Sequence, residues 1–275
     1  MNSFDVPTSL SPSRASSFQD CPLQFRFASI QGLPQPPGFH AVKGNVVHRA
    51  LELLLGLAPL ERTREAARDA MAASRNEYEP KYDFVGLELD ELAARDFWTD
   101  CGRLVDAYFD LEDPTTLDNV ELELWVEAPL GTFNVRGYVD RLERAPDGGL
   151  VITDYKTGRA PRESDVGSKM RQLEMYAYMI RALRGELPAR MRLMYLKDKV
   201  VLEQQPTESS MKFLEKRTIA LYDAIERACN NGTFPARRSG LCNFCNFKPW
   251  CPEFGGNPEL AAVEAPLKYP RVVES

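Results

Sequence analysis

GTFNVRGYVDRLERAPDGGLVITDYKTG, residues 131–158, decides the fold. In TFNVRGYVDRLE the apolar residues recur at every second position, the period of a strand. Pro146-Asp147-Gly148-Gly149 supplies turn chemistry, and LVITDYK then reads as a further strand. Just upstream, in VELELWVE, Val120, Leu122, Leu124 and Val126 alternate with Glu121, Glu123, Trp125 and Glu127. Gly131 separates the two runs, so they are expected to form an antiparallel hairpin.

Outside this block the period changes to that of helices. Val47, Ala50, Leu51, Leu54 and Leu55 make one apolar stripe between Gly44 and Leu57. Residues 60–79 and 88–111 predict two more helices, the second with Phe97, Cys101, Leu104 and Tyr108 in phase. Downstream, residues 167–184 predict a helix stopped by Gly185, and MRLMYLK with VVLEQQ a hairpin around Asp198. Thr207 to Asn231 predicts a long helix with Met211, Leu214, Leu221, Ile225 and Cys229 inward, ended by Gly232. Residues 1–40, rich in Pro and Ser, read as irregular apart from a short helix near Ser13–Ser29. A tail with Pro258, Pro266 and Pro270 closes the chain. The expected class is α/β: a helical front, a mixed sheet flanked by helices and a cysteine-rich C-terminal segment.

With 275 residues, 44% apolar and 27% charged, the composition is that of a globular protein able to bury a core. No apolar run approaches a membrane span. The opening MNSFDVPTSLSPSR has neither the basic start nor the apolar stretch of a secretory signal, which predicts a cytoplasmic location. The net charge of −6 is segregated. Residues 77–127 hold sixteen acids and three bases, whereas residues 156–199 hold eleven bases and five acids. The second region is a candidate phosphate-binding face.

Asp154 and Lys156 stand two apart on a strand and leave the same face, toward its C-terminal end. Antiparallel pairing brings Asp140 beside Asp154, and two close carboxylates favour a divalent cation between them. A neighbouring lysine can orient a water and offset phosphate charge. A plain Asp154–Lys156 surface ion pair is the alternative on these residues alone. His48 and Glu52 share a helix face at i, i+4, as do Gln172 and Tyr176 on the later helix.

GNVVHRALE, GYVDRLE, DYKTG and QLEMY, in this order over residues 44–178, resemble the motifs of RecB-family nucleases in the PD-(D/E)XK superfamily. The resemblance implies that His48, Asp140 and Asp154 ligate Mg²⁺ or Mn²⁺, with the Tyr155 carbonyl as a further ligand. It makes Lys156 catalytic, gives Gln172 and Tyr176 the positioning of DNA or of Lys156, and puts Glu52 behind the metal ligands. It implies one nuclease domain over 1–275, with an arm at 1–40, a helical part at 41–115, a catalytic sheet core at 119–205, a long helix and cysteine cluster at 206–256, and a tail at 257–275.

Cys242, Cys245 and Cys251 form C-x2-C-x5-C, and Cys21 stands some 220 residues upstream. Such spacing is a metal signal, for zinc or for a [4Fe–4S] cluster. The arrangement is similar to the iron–sulfur staple of AddB and Cas4-like nucleases, which favours the cluster, while Cys101 and Cys229 fall on apolar stripes and read as core. The expected activity is therefore hydrolysis of single-stranded DNA ends, 5′ to 3′ by family likeness, with Phe18, Phe25, Phe27 or Trp250 as base-stacking candidates. A non-catalytic DNA-binding or adaptor subunit is the alternative, and a structural zinc protein a third.

Overall fold

The structure is a computed structural model and describes residues 3–269. In chain order its strands are β1 (Ser9–Leu10), β2 (Glu121–Leu130), β3 (Phe133–Arg144), β4 (Leu150–Lys156), β5 (Arg190–Tyr195) and β6 (Val200–Gln204). Its helices are α1 (Pro12–Asp20), α2 (Pro22–Phe25), α3 (Phe39–Leu55), α4 (Arg64–Tyr78), α5 (Tyr82–Val85), α6 (Glu91–Tyr108), α7 (Val166–Arg184), α8 (Glu208–Asn231) and α9 (Ala261–Lys268). The described residues divide into two compact units. One comprises Pro37–Ala128 and Gly137–Met211; the other is formed by the described residues of Met1–Pro36, Pro129–Arg136 and Lys212–Ser275.

The first of these units carries the mixed sheet. β3 pairs antiparallel with β4, β4 parallel with β5, and β5 antiparallel with β6. β2 pairs with β3 across the two-residue turn Gly131–Thr132, with Gly131 at φ 64. The parallel step from β4 to β5 needs a crossover, and α7 supplies it. Gly185, at φ 76, stops α7 by accepting a left-handed conformation costly to other residues. β4 lies between β3 and β5 and is buried from Leu150 to Tyr155. That explains its continuous Val/Ile-rich reading.

α3, α4 and α6 pack together through Val46, Val47, Ala50, Leu51 and Leu54, Ala67 and Met71, and Phe97, Cys101 and Tyr108. Tyr155, Met194 and Leu196 join this core from the sheet side. Each fully buried Val or Leu contributes about 1.5–3 kcal/mol relative to exposure, so α3 is fixed firmly by its apolar stripe. α3 begins at Phe39 and ends at Leu55, earlier at both ends than the stripe alone predicts. α4 starts late, at Arg64, because the Thr63 side chain caps it by accepting from the Ala66 N–H.

In the second unit β1 runs parallel to the start of β3, with Ser9 beside Asn134 and Leu10 beside Val135. Phe133 stacks on Tyr222 of α8 at 3.8 Å between ring centroids. The cysteine-bearing segment is anchored by Phe247 against Phe27 and by the Trp250 Nε1–H, which donates to Glu264 at 2.7 Å. Gly256 is required here, since a Cβ would lie 2.2 Å from the Pro249 carbonyl oxygen. The proline-punctuated tail contains a helix the sequence pattern does not predict: α9 buries Ala261 and Ala265 despite Pro266 within it. Tertiary burial overrides local propensity there. Pro270 lies outside the described residues.

Candidate active site

β3 and β4 pair through Arg141 opposite Thr153 and Leu142 opposite Ile152. Carrying that register one step sets Asp140 against Asp154, an arrangement of like charges that costs stability unless something cationic relieves it. Asp154 is only 2% exposed. Its Oδ2 is held by an ion pair with Lys156 Nζ at 2.5 Å, and its Oδ1 accepts from Gln172 Nε2 at 3.2 Å. The Lys156 ammonium also donates to Gln172 Oε1 at 3.2 Å, and Gln172 Nε2 lies 3.4 Å from the Tyr176 hydroxyl. Gln172 thus bridges the acid and the lysine, as its i, i+4 relation with Tyr176 on α7 allows.

His48 comes in from α3. Its Nε2 lies 2.8 Å from the Tyr155 carbonyl oxygen, and since a carbonyl can only accept, Nε2 carries the proton and donates. Nδ1 then faces Asp140 Oδ2 at 3.5 Å, and that same carboxylate oxygen accepts the Tyr155 N–H at 2.7 Å. Cis ligands of an octahedral ion bound at ~2.1 Å stand roughly 3.0 Å apart, so the His48–Asp140 spacing needs only a small adjustment. The Tyr155 carbonyl, expected as a metal ligand, is here the acceptor that orients the His48 ring.

Burial, and then the charge of Asp154, push the Asp140 carboxyl well above the usual carboxylate range. Burial opposes the Lys156 ammonium, but the adjacent Asp154 outweighs it, so Lys156 is held above its ordinary value and is cationic at neutral pH. Buried acids that repel one another and a captive ammonium are the electrostatics of a site suited to a divalent cation.

One residue of this cluster, Glu123, lies outside the motifs. Glu123, His48 and Asp140 each offer a ligand atom, and these atoms all lie within 4.8 Å of one another. Burial first, and Asp140 next, push the Glu123 carboxyl up to about 7. Strand alternation identifies the face Glu123 occupies but says nothing of what that face meets. Counting across the two-residue turn would have found it: residue 130 faces 133, so Trp125 faces Tyr138 and Glu123 faces Asp140. The Trp125 and Tyr138 rings are indeed in contact, 4.9 Å between centroids.

Glu52 pairs with Arg49 at 2.9 Å, and Arg49 in turn holds Glu77, while the Glu52 charge still reaches Glu123 of the site. Phe18, Phe25, Phe27 and Trp250, expected as stacking candidates, are 9%, 0%, 0% and 2% exposed and belong to the core. Their apolar bulk is buried, and the one polar group among them, the Trp250 N–H, is satisfied by Glu264. The aromatic residues exposed beside the site are Trp125 and Tyr138, at 44% and 54%.

All six cysteines are free; Cys101 in the first unit and Cys229 in the second are fully buried. Cys21, Cys242, Cys245 and Cys251 are partly exposed. Burial raises the Cys245 thiol, and Cys21, Cys251 and Cys242 add to the rise, so the four lie within electrostatic reach of one another. The Arg237 N–H points at Cys21 Sγ at 3.5 Å and the Ser239 N–H at Cys242 Sγ at 3.4 Å. Among the described residues no three thiols come within 4.8 Å of one another.

Residues 9–252 match the family model of the PD-(D/E)XK nuclease superfamily. Among solved structures, a candidate exonuclease from Eubacterium rectale is 11% identical with a TM-score of 0.52, over 98% of this chain and 90% of that one. SSO0001 is 13% identical with a TM-score of 0.42, over 90% and 88%. At these identities the likeness to the Eubacterium rectale protein is one of fold. No curated protein matches the chain.

Proposed function

The chain belongs to the PD-(D/E)XK nuclease superfamily, and from that premise we propose that it is a Mg²⁺- or Mn²⁺-dependent exodeoxyribonuclease of the RecB, Cas4-like kind, acting on single-stranded DNA ends in the cytoplasm. The observation that carries the reading is the convergence of His48, Asp140, Asp154 and Lys156, with Gln172 bridging the last two. The donor set of one imidazole and two carboxylates fits Mg²⁺ or Mn²⁺. When bound, the cation supplies Lewis-acid activation of water and neutralises phosphate charge.

His48, Asp140 and Asp154 would hold the ion, and the Tyr155 carbonyl fixes the ring of His48. Lys156, steered by Gln172 and kept cationic, lies against the phosphate oxygens and the attacking water. The water would give up a proton to solvent as its oxygen bonds to phosphorus in line, the bond from phosphorus to the 3′ oxygen would break, and that oxygen would take up a proton from solvent, leaving a 5′-phosphate and a 3′-hydroxyl. Trp125 and Tyr138, two residues along from Glu123 and Asp140, offer stacking surface to unpaired bases and favour single strands. A groove of about 810 Å³ beside Thr157 and Gly158 is edged by Lys43, Arg64, Arg103, Arg159, Lys197 and Lys199 and suits a phosphate backbone. Polarity from the 5′ end rests on family likeness. Among the described residues no helix is long and apolar enough to cross a membrane.

The four cysteines Cys21, Cys242, Cys245 and Cys251 are assigned to a [4Fe–4S] cluster, with zinc as the alternative; the backbone N–H groups directed at Cys21 and Cys242 suit thiolates. Brown colour on purification in the absence of oxygen, bleached in Cys245→Ser, checks this; a colourless protein holding zinc would overturn it.

Digestion of 5′- and 3′-labelled single-stranded DNA with Mg²⁺ or Mn²⁺ tests the activity. Lys156→Ala is expected to lower kcat by roughly 10²–10³-fold, as loss of one transition-state donor does elsewhere. Equal digestion by wild type and Lys156→Ala would overturn the assignment. Inert wild type that still binds the strand would favour the adaptor alternative.

A further inference from the structure

Glu123 is left without a role by the mechanism above, yet it occupies the centre of the site. Its carboxylate accepts no hydrogen bond and joins no ion pair among the described residues, while His48 and Asp140 stand within ligand distance of it. The ligand atoms of His48, Asp140 and Glu123 all lie within 4.8 Å of one another, close enough for one divalent ion to be shared among them. Glu123 reaches this place from an unusual backbone: its φ is 44, in the left-handed region that a glutamate adopts only at a cost. Such strain persists where the surroundings demand it, and it sits here opposite a buried acid.

The second wall of the site offers a further buried carboxylate. Asp154, almost fully buried, has an oxygen engaged only by the Lys156 ion pair. Ionised around a cation, Asp140, Asp154 and Glu123 would carry three negative charges against the one positive charge of Lys156, leaving two to be neutralised. One divalent ion balances that sum; without Glu123 the same ion would leave the site with an excess positive charge.

We propose that Glu123 is a side-chain ligand of the divalent metal centre, delivered opposite Asp140 by the β2–β3 hairpin. The inference rests on the metal centre proposed above and adds to it a ligand that strand alternation does not reveal. Its consequence is that ion affinity, and not only turnover, depends on β2.

Mn²⁺ titration of the metal-free full chain, with free Mn²⁺ read by electron paramagnetic resonance and no DNA present, tests it. Wild type is expected to take up one ion. Glu123→Gln should raise the Kd at least tenfold and shrink the Mn²⁺-induced rise in Tm, while the metal-free Tm stays equal or increases, because a carboxylate facing Asp140 is gone. Glu123→Asp, which keeps the charge on a shorter arm, should bind with intermediate affinity, and it answers the question if the Gln variant does not fold. Glu121→Gln, two residues away on the same strand and paired with Arg184, is the control and should match wild type. If Asp154→Asn loses binding while Glu123→Gln and Glu123→Asp keep the wild-type Kd, this proposal alone falls. If wild type takes up no Mn²⁺, the metal centre falls and this ligand with it.

Discussion

Asp140 and Asp154 are costly residues to set against each other, and the fold does so by backbone register rather than by chance side-chain placement. Asp140 takes the Tyr155 N–H, and Asp154 takes Lys156 and Gln172, so each acid has partners of its own and neither is held by the other's. At this scale the proposed preference for single strands can be tested. A base stacked on Trp125 or Tyr138 should contribute about 1–3 kcal/mol. Trp125→Ala is therefore expected to weaken single-stranded DNA binding about tenfold or more, with kcat at saturating substrate nearly unchanged; filter binding and turnover measured together check it. Lost turnover with unchanged affinity would remove the stacking role. Asp140, Asp154, Lys156 and His48 are legible in the sequence because strand alternation and helical spacing fix which side chains share a face. Glu123 is legible only by counting register across the Gly131–Thr132 turn, because the outward face of β2 meets the site and not solvent. Phe18, Phe25, Phe27 and Trp250 mislead for the converse reason: an aromatic residue in a polar stretch does not declare its exposure.

The elements β3 and β4 are tied beneath the site by a charged network that no motif announces. Arg141, fully buried, meets Glu112 and Glu143, donates to the Tyr155 hydroxyl at 2.8 Å and to Thr153 Oγ1 at 3.2 Å. Arg192 of β5 reaches Glu112 at 3.2 Å. Tyr155 therefore joins two systems, its hydroxyl in the network and its backbone in the site. Burial works against the Glu112 carboxylate, but Arg141 and then Arg192 outweigh it and hold it below the ordinary range. A carboxyl depressed in the folded state stabilises above its unfolded value of 4.5 and loses that contribution as pH falls through the folded value. Glu112→Gln should thus destabilise the protein at pH 7 by roughly 3–5 kcal/mol, the cost of breaking a buried pair. The gap to wild type should narrow as pH is lowered past 4.5; denaturant melts at several pH values check it, and a gap independent of pH would show that Glu112 acts through packing alone. The strands themselves follow from alternation, and α7 from its period and Gly185. Glu112 escapes sequence reasoning because it lies in the turn after α6, where no periodicity says that a glutamate is buried.

At the scale of the molecule, a chain of net charge −6 is an unpromising partner for DNA unless its charges are separated, and they are. Around the groove beside Thr157, six bases face three acids, Asp100, Asp106 and Asp110. Lys43 is taken by Asp100 at 3.0 Å, Arg64 by Asp110 at 2.9 Å and Lys199 by Asp110 at 2.8 Å. Arg159 and Lys197 form no ion pair among the described residues. A phosphate can engage those two without first displacing a carboxylate, whereas at Lys43 it must compete with Asp100. Binding to single strands loses affinity with salt at a logarithmic slope of about −0.7 per phosphate contact. The double variant Arg159→Ala, Lys197→Ala should therefore flatten the slope by roughly 1.4 units, while Lys43→Ala changes it by less. Affinities measured from low to moderate salt with an oligonucleotide and no divalent ion separate this from an effect on the metal. An unchanged slope in the double variant would mean that the strand takes another path, and that the segregated charge of residues 156–199 serves only solvation.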